Sequence, residues 1–565
     1  MNYPTPSLQT IHFIKKLKCG EDATVAREFD LNKKDFVVNG FSFPEAKSNF
    51  TWVSDNEIIW ADATDPNKIS ASGYPQQLKI IKRHQMLSEA TLFAEMPKDY
   101  LMAYSFKVKD ADKYYHFISY SITGTTTEYY YLPDVKNLAH KIKVPVPVKS
   151  QIIGIAYQQV LFKISHSFKA NNNDYEAGTI LAFDLADIEK SNITYKLVFK
   201  PEDNRVLEDI LISKHQTWVS VLEDVKPKIY LAQYQKSQWS HQNFTSENDA
   251  NSWAIATSSV ESEHVYLIKS GFLTPNEYLY INDIHPKISQ AQSILKSPSC
   301  FNEDDFVVYQ YKAKSSDGVE IPYFTVHKKN MHYNSLNPTL LYGYRGFEIP
   351  LTPYYSGTLG KAWLERNGVY VYANIRGGGE FGPKWHQSAI RDKKQLSYDD
   401  FISIAEDLIH RKITSPKHLG IKGGSNGGLL TSVMLTQRPD LFNAVISAVP
   451  LTNMIRFSKL LAGAFWMDEY GNPENETDKK ILLEYSPLHN LKDGVKYPEA
   501  FFTTSTKDDR VHPGHARQMV ARLRELNQNV IYFENTDGGH GGAKNNNEMA
   551  SLLSMEYVYL FQKLK

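Results

Sequence analysis

The chain has 565 residues, enough for two or three domains, and its 42% hydrophobic and 22% charged residues are typical of a water-soluble globular protein. Its 63 lysines and arginines balance its 63 aspartates and glutamates, which argues against nucleic acid or an anionic membrane as the main partner. Two cysteines, Cys19 and Cys300, are too few for a disulfide framework and fit a reducing compartment. Because we find neither a signal-peptide core nor an apolar run of about 18 residues, we expect a cytoplasmic protein.

From about residue 50 to residue 300 the sequence predicts short β-strands. Segments rich in Tyr, Phe, Ile and Val alternate with clusters of Asn, Asp, Gly, Ser and Lys. Examples are residues 100–108, 114–120 and 179–184. Closely spaced antiparallel strands of this kind are typical of a sandwich, a barrel or a propeller, and their periodicity does not choose among these three.

After about residue 302, strands alternate with helices. Residues 339–343 and 369–374 form apolar strands, whereas apolar residues recur at helical spacing over 398–410. This alternation predicts a doubly wound, mostly parallel sheet with helices on both faces. We therefore divide the chain into an all-β domain, residues 1–301, and an α/β domain, residues 302–565.

The α/β domain contains a candidate nucleophile at Ser425. A predicted strand, 418–422, leads into the pattern G-x-S-x-G, and a helix-like segment, 429–435, follows it. This strand–turn–helix context is the one that the nucleophile elbow of α/β hydrolases requires. The turn is sharp and strained, so only small residues fit beside the serine.

A serine hydroxyl becomes a good nucleophile only when a base takes its proton. In α/β hydrolases the catalytic residues follow the chain order serine, acid, histidine. Asp508 comes just after the apolar segment 500–505, and His540 follows the predicted strand 529–533. Open α/β sheets place their sites at the carboxyl ends of strands. The sequence therefore predicts a serine hydrolase with the triad Ser425, Asp508 and His540.

Six segments resemble the prolyl oligopeptidase family of serine peptidases, in the family's order. They are residues 342–347, 374–382, 423–428, 485–490, 508–511 and 539–541. The resemblance covers 305–560, and a weaker likeness extends over 25–300, where 71–75 looks like bacterial members of the family. The resemblance implies a β-propeller for the N-terminal half and an α/β-hydrolase catalytic domain after it.

The resemblance also implies the other catalytic roles. Family members use the first aspartate of their Asp-Asp-Arg motif as the triad acid, which is Asp508 here, and Asp509 is the runner-up. The family's oxyanion hole matches the hydroxyl of Tyr344 and the backbone N–H of Asn426, donors that stabilise charge developing in the transition state. Arg345 departs from the glycine that family members have at this position, which leaves the geometry near Tyr344 open.

The resemblance further implies a pocket for proline. Trp466 aligns with the tryptophan that the family stacks on substrate proline, and Arg510 resembles the arginine that holds a substrate carbonyl. The other walls match Phe347, Leu451, Tyr470 and Val511. Since proline has no N–H to recognise, flat aromatic contact suits it. We expect hydrolysis of short peptides after proline through an acyl-enzyme, with no metal or other cofactor and with peptides as the partners.

Two alternatives stay open. The related oligopeptidase B places a carboxylate at the position of Trp466 and cleaves after Arg or Lys, and Asp468 and Glu469 lie close by in the sequence. We nevertheless expect both carboxylates to face solvent or a structural partner, because an unpaired carboxylate in an apolar slot is costly.

The second alternative is a truncated, inactive binding protein. Family members begin earlier and have seven propeller blades, whereas this chain starts inside the propeller with sequence for five or six. The complete triad argues against a degenerate remnant.

Overall fold

The computed structural model describes residues 22–245, 251–344 and 346–565, and the backbone alone of residues 11–17. Cys19 and Arg345 lie outside the described residues, so the expectations for them stay predictions. Cys300 is a free, exposed cysteine.

The described N-terminal half consists of six successive four-stranded antiparallel sheets. The first three sheets contain β1 (Ile11–Leu17), β2 (Thr24–Asp30), β3 (Asp35–Phe36) and β4 (Ser42–Ala46); β5 (Asn49–Ser54), β6 (Glu57–Ala61), β7 (Gln77–Lys82) and β8 (Thr91–Glu95); and β9 (Met102–Asp110), β10 (Lys113–Ser121), β11 (Thr127–Leu132) and β12 (Ile142–Lys143). The fourth contains β13 (Ser150–Ala156) and β14 (Gln159–Ile164), then, after a separate hairpin of β15 (Phe168–Ala170) and β16 (Asn173–Tyr175), β17 (Ile180–Asp184) and β18 (Lys196–Phe199). The last two contain β19 (Arg205–Ile212), β20 (Thr217–Glu223), β21 (Lys226–Gln235) and β22 (Gln238–Asn243); and β23 (Ser252–Ser258), β24 (His264–Gly271), β25 (Thr274–Asn282) and β26 (Gln292–Lys296).

Apolar side chains are buried between consecutive sheets. Phe43 of the first sheet packs on Trp60 of the second, with ring centroids 5.1 Å apart. Phe117 of the third sheet and Phe162 of the fourth lie fully buried in one apolar cluster. Because each of the four inner sheets buries both faces against its neighbours, the sheets stack in sequence order, as the blades of a β-propeller do.

The C-terminal half is built on one eight-stranded sheet, ordered β27-β28-β30-β29-β31-β32-β33-β34. Its strands are β27 (Phe306–Lys314), β28 (Glu320–Lys328), β29 (Thr339–Tyr342), β30 (Val369–Ala373), β31 (Leu419–Gly424), β32 (Ala444–Ala448), β33 (Ala500–Ser505) and β34 (Val530–Asn535). The pairs β27–β28 and β28–β30 are antiparallel and the remaining pairs are parallel. The strand order reverses at β29, which lies between β30 and β31, and such a switch point opens a crevice at the strands' carboxyl ends.

Helices cover both faces of this sheet. They are α1 (Gly357–Ala362), α2 (Gly382–Gln387), α3 (Gln395–His410), α4 (Asn426–Gln437), α5 (Met467–Tyr470), α6 (Glu476–Tyr485), α7 (Pro487–Asn490), α8 (Gly514–Glu525) and α9 (Asn546–Leu564). One apolar cluster joins the sheet to α3, α4 and α8, and another joins it to α1 and α9. Along β32, Val445 belongs to the first cluster while Ala444 and Ile446 belong to the second, as the two-residue period of a strand requires.

The α/β fold and its parallel sheet are as the sequence predicted, with small shifts at the element ends. The helix after Ser425 begins at Asn426 rather than at residue 429, because two glycines already belong to its first turn. The last strand of the N-terminal sheets ends at Lys296, and the first strand of the eight-stranded sheet begins at Phe306. The domain boundary at 301/302 stays a prediction. Among the described helices, none combines the length and apolar character needed to cross a membrane.

Candidate active site

Ser425 lies in the sharp turn between β31 and α4, with φ 58° and ψ −116°. These angles are strained for a residue with a side chain, so neighbouring contacts must hold them. The serine N–H donates to the Ala448 carbonyl at 2.8 Å. A Cβ on Gly423 would lie 2.2 Å from the Gly427 carbonyl oxygen, and one on Gly427 would lie 2.6 Å from that of Gly343. The two motif glycines are therefore required by the close backbone packing of the turn.

The three residues of the predicted triad form one chain of hydrogen bonds. His540 Nε2 lies 3.1 Å from Ser425 Oγ, and His540 Nδ1 lies 2.8 Å from Asp508 Oδ2. The other oxygen of Asp508 accepts from the backbone N–H groups of Arg510 and Val511, both at 2.9 Å. The Asp508 side chain is fully buried, so its carboxylate is fixed in place. A proton on Nδ1, shared with Asp508, leaves Nε2 free to accept the proton of the serine.

Asp509, the runner-up for the acid, points away from the histidine. Its carboxylate accepts from the backbone N–H groups of Asp22, at 2.9 Å, and Ala23, at 3.2 Å, both in the propeller. The geometry therefore favours Asp508 as the partner of His540 and gives Asp509 a contact between the two domains.

The candidate oxyanion donors flank the nucleophile. Asn426 is the first residue of α4, and its side chain is held by two bonds: Nδ2 donates to the Tyr344 carbonyl at 3.0 Å and Oδ1 accepts from Tyr470 Oη at 2.7 Å. Tyr344 lines a cavity with Ser425. Burial, together with the charge of Glu469, raises the pKa of Tyr344 to about 12, so its hydroxyl keeps the proton that a donor needs.

The cavity above Ser425 has a volume of about 530 Å³. Five of the six residues expected to bind substrate line it: Phe347, Leu451, Trp466, Tyr470 and Arg510. Phe347 meets Tyr470 edge to face, with centroids 5.8 Å apart. The sixth, Val511, is 1% exposed and lies in the apolar core that these walls join.

The propeller supplies the opposite side of the cavity, which the sequence patterns did not predict. Its lining residues there are Asp22, Thr24, Lys47, Ser48, Asn49, Tyr74 and Tyr104, and the catalytic domain adds Ala462 and Phe465. The propeller side chains lie several hundred residues from the triad in the sequence, so only the packing of the two domains brings them to the cavity. The segment 71–75, which includes Tyr74, carried the only sequence signal for this wall, through its likeness to bacterial family members.

Arg510, expected to hold a substrate carbonyl, forms an ion pair with the propeller. Its Nη2 and Nε donate to the Asp22 carboxylate at 2.5 and 3.2 Å. Burial raises the pKa of Asp22, but the hydrogen bond and charge of Arg510 outweigh it, so the pKa lies below its ordinary value. Lys47 lies 3.9 Å from the carboxylates of both Asp22 and Asp509. The propeller and the catalytic loop thus share a small charge network at the cavity rim.

Glu469, one of the two carboxylates near Trp466, is paired inside the catalytic domain. It is 4% exposed, accepts from His386 Nε2 at 2.7 Å and from the Phe347 N–H at 3.2 Å, and forms an ion pair with Lys394. Burial raises its pKa, but the charges of Lys394 and His386 lower it to about 2. Glu469 is therefore a permanent anion that holds Phe347, a wall of the cavity.

Asp468, the second carboxylate, is paired across the domain boundary. Its Oδ2 accepts from the N–H and the hydroxyl of Thr125, at 3.0 and 2.8 Å, in the propeller. Both carboxylates thus have structural partners.

Comparisons with known proteins cover both halves of the chain. The model of the prolyl oligopeptidase family matches residues 355–565, and the model of the prolyl oligopeptidase N-terminal β-propeller domain matches residues 14–292. An uncharacterized peptidase, y4nA, of Sinorhizobium fredii is 39% identical over 99% of this chain and 77% of its own length.

Two solved structures extend the comparison. A post-proline cleaving enzyme from Rickettsia typhi superposes with a TM-score of 0.93 at 33% identity, covering 98% of this chain and 82% of the other. Oligopeptidase B from Leishmania major superposes with a TM-score of 0.84 at 19% identity, covering 99% of this chain and 78% of the other, which shows a shared fold.

Proposed function

Because the chain belongs to the prolyl oligopeptidase family and is thus a serine peptidase with a β-propeller and an α/β-hydrolase domain, we propose that it cleaves short peptides on the carboxyl side of proline through an acyl-enzyme on Ser425. The observation that carries the proposal is the hydrogen-bonded chain from Ser425 through His540 to buried Asp508, which opens onto an aromatic cavity.

In the proposed first half of the reaction, Ser425 Oγ attacks the carbonyl carbon of the scissile bond while His540 Nε2 takes the hydroxyl proton. Negative charge moves to the carbonyl oxygen, where the Asn426 N–H and the Tyr344 hydroxyl donate hydrogen bonds. The imidazolium, stabilised by Asp508, then gives its proton to the leaving amine. The C–N bond breaks and the acyl group stays on Ser425.

In the second half, water takes the place of the amine. His540 removes a proton from the water as its oxygen attacks the acyl carbon, and returns a proton to Ser425 Oγ as the ester bond breaks. The products are a peptide that ends in the recognised residue and the regenerated enzyme. Every proton is moved by His540, so the mechanism requires no metal or other cofactor.

Two features support proline as the recognised residue. Trp466 is only half-buried and faces the cavity beside Phe347, so a flat aromatic surface is open to a pyrrolidine ring. The nearby carboxylates of Asp468 and Glu469 are both engaged by structural partners, so neither offers the unpaired charge that an arginine side chain would need. The name of the Rickettsia typhi enzyme, similar over nearly the whole chain, points in the same direction.

The test compares kcat/KM on matched Gly-Pro and Gly-Arg reporter peptides, with Ser425→Ala as the blank. We expect the proline reporter to be cleaved faster. Trp466→Ala should lower kcat/KM for it by roughly tenfold or more, since stacking contributes about 0.5–1.5 kcal/mol beyond the buried area. Faster cleavage of the arginine reporter would favour the oligopeptidase B alternative. Failure of Ser425 to react with a fluorophosphonate probe would favour an inactive binding protein.

A further inference from the structure

Asp468 lies two residues after Trp466 and meets a tight turn of the propeller between β10 and β11. Three donors of this threonine turn, residues 123–125, converge on one carboxylate oxygen, Oδ2. They are the Thr123 hydroxyl at 2.5 Å, the Thr125 hydroxyl at 2.8 Å and the Thr125 N–H at 3.0 Å. Hydrogen bonds to a carboxylate are roughly twice as strong as those between neutral groups. The two domains are therefore joined by a charge-assisted contact directly beside the tryptophan.

The threonine turn also approaches the chain just before Trp466. A Cβ on Gly124 would lie 2.7 Å from the Phe465 carbonyl oxygen, so only glycine allows this approach. A second propeller residue, Tyr74, packs its ring against that of Phe465, with centroids 5.7 Å apart. The propeller thus contacts Trp466's neighbours on both sides, at residues 465 and 468.

The segment that carries Trp466 has little regular structure to hold it. Residues Leu461–Trp466 form a 3₁₀ helix, whose hydrogen bonds are poorer than those of an α-helix, and α5 spans only four residues. Trp466 is partly buried, with the rest of its surface at the cavity. The position of the indole ring therefore depends on contacts made by neighbouring residues.

We propose that Asp468 is a positioning residue. Its hydrogen bonds to the threonine turn fix the position of the Trp466 side chain, so the proline pocket takes its binding shape only when the propeller is docked. The inference rests on the proposed proline pocket and adds that the pocket is assembled by both domains. Asp468 does not touch the triad in this arrangement. Its loss should weaken substrate binding more than the chemical step.

The first experiment measures kcat and KM of Asp468→Ala on the Gly-Pro reporter. We expect KM to rise about tenfold, the usual effect of losing hydrogen bonds to a charged group, with kcat changed less than about threefold. The rate of labelling by a small fluorophosphonate should stay at the wild-type value, since the probe needs Ser425 and His540 but not the Trp466 wall. The exposed turn residue Asp493 provides the control, and Asp493→Ala should leave KM unchanged.

Two further variants separate positioning from a general loss of structure. Asp468→Asn keeps a carbonyl oxygen whose two lone pairs can accept hydrogen bonds from the threonine turn, so it should restore KM to within about threefold of the wild type. The double variant Thr123→Val, Thr125→Val removes two donors from the other side and should raise KM without adding to the effect of Asp468→Ala. This double variant also tests the contact between Asp468 and the threonine turn if Asp468→Ala does not fold.

An unchanged KM in both Asp468→Ala and the threonine double variant would overturn the inference. Equal losses of kcat, labelling rate and thermal stability would overturn it as well, because they would indicate a structural role alone. Failure of the proposed function has a different signature: the wild-type enzyme would then prefer Gly-Arg or cleave neither reporter.

Discussion

Glu469→Gln tests whether the buried carboxylate three residues after Trp466 serves structure or specificity. The substitution keeps the shape of the side chain but removes its charge from a site where the Lys394 side chain is 0% exposed and that of Glu469 is 3% exposed. Removing one partner of a buried ion pair costs about 3–5 kcal/mol, since the other charge stays buried without compensation. The Phe347 N–H and His386 would also lose a charged acceptor.

The measurement is thermal unfolding followed by circular dichroism, with residual activity as a second probe because two domains need not unfold together. For a domain of this size each kcal/mol corresponds to about 2–4 °C, so the transition of the catalytic domain should fall by roughly 6–20 °C. Glu474→Gln, which alters an exposed pair with Lys459, is the matched control and should leave the transition in place. The reasoning would be refuted if Glu469→Gln were as stable as the wild type and instead abolished cleavage after arginine.

Three further predictions follow from the site and the fold. Ser425→Ala should lose fluorophosphonate labelling and peptide cleavage while its circular dichroism spectrum stays unchanged, and activity above background would exclude Ser425 as the nucleophile. Burial raises the pKa of Glu380 to about 7, so the ionisation of Glu380 should contribute a downward slope to wild-type stability between about pH 4.5 and pH 7, roughly 3 kcal/mol in all at about 1.4 kcal/mol per pH unit. Glu380→Gln cannot ionise and should remove this slope in thermal unfolding; an identical slope would assign it to other groups. Finally, the propeller side of the cavity should exclude folded proteins, so casein should be degraded far more slowly than a short reporter peptide, and equal rates would show that the propeller does not select by size.

The catalytic half could be predicted largely from the sequence because its chemistry lies at the ends of strands. The strands before Ser425 and Asp508 are short segments of mainly apolar and small residues, a composition typical of buried parallel strands. A glycine-rich turn follows the first of them, and the order of serine, aspartate and histidine restricts the fold further. Local patterns therefore indicated the position of each residue of the predicted triad as well as its type.

The pairing of charges could not be predicted in the same way. A lysine near the start of a helix usually belongs to the solvated face, yet Lys394 is completely buried because Glu469, 75 residues away, neutralises it. Asp22 and Arg510 are 488 residues apart and meet only because the first propeller sheet docks on the catalytic loop. Such contacts depend on how whole domains pack, and no period or spacing in the chain encodes that packing.

The strained backbone at Ser425 has an evolutionary consequence. Conformations of this kind cost about 1–3 kcal/mol for a residue with a side chain, whereas glycine adopts positive φ freely. Folding alone would therefore favour a different residue at position 425, and the proposed role of Ser425 as the nucleophile is the reason for selection to keep a hydroxyl there. In descendants of this gene that no longer act as enzymes, we expect glycine at position 425 to be an early substitution. Those proteins should be more heat-stable than their active ancestor.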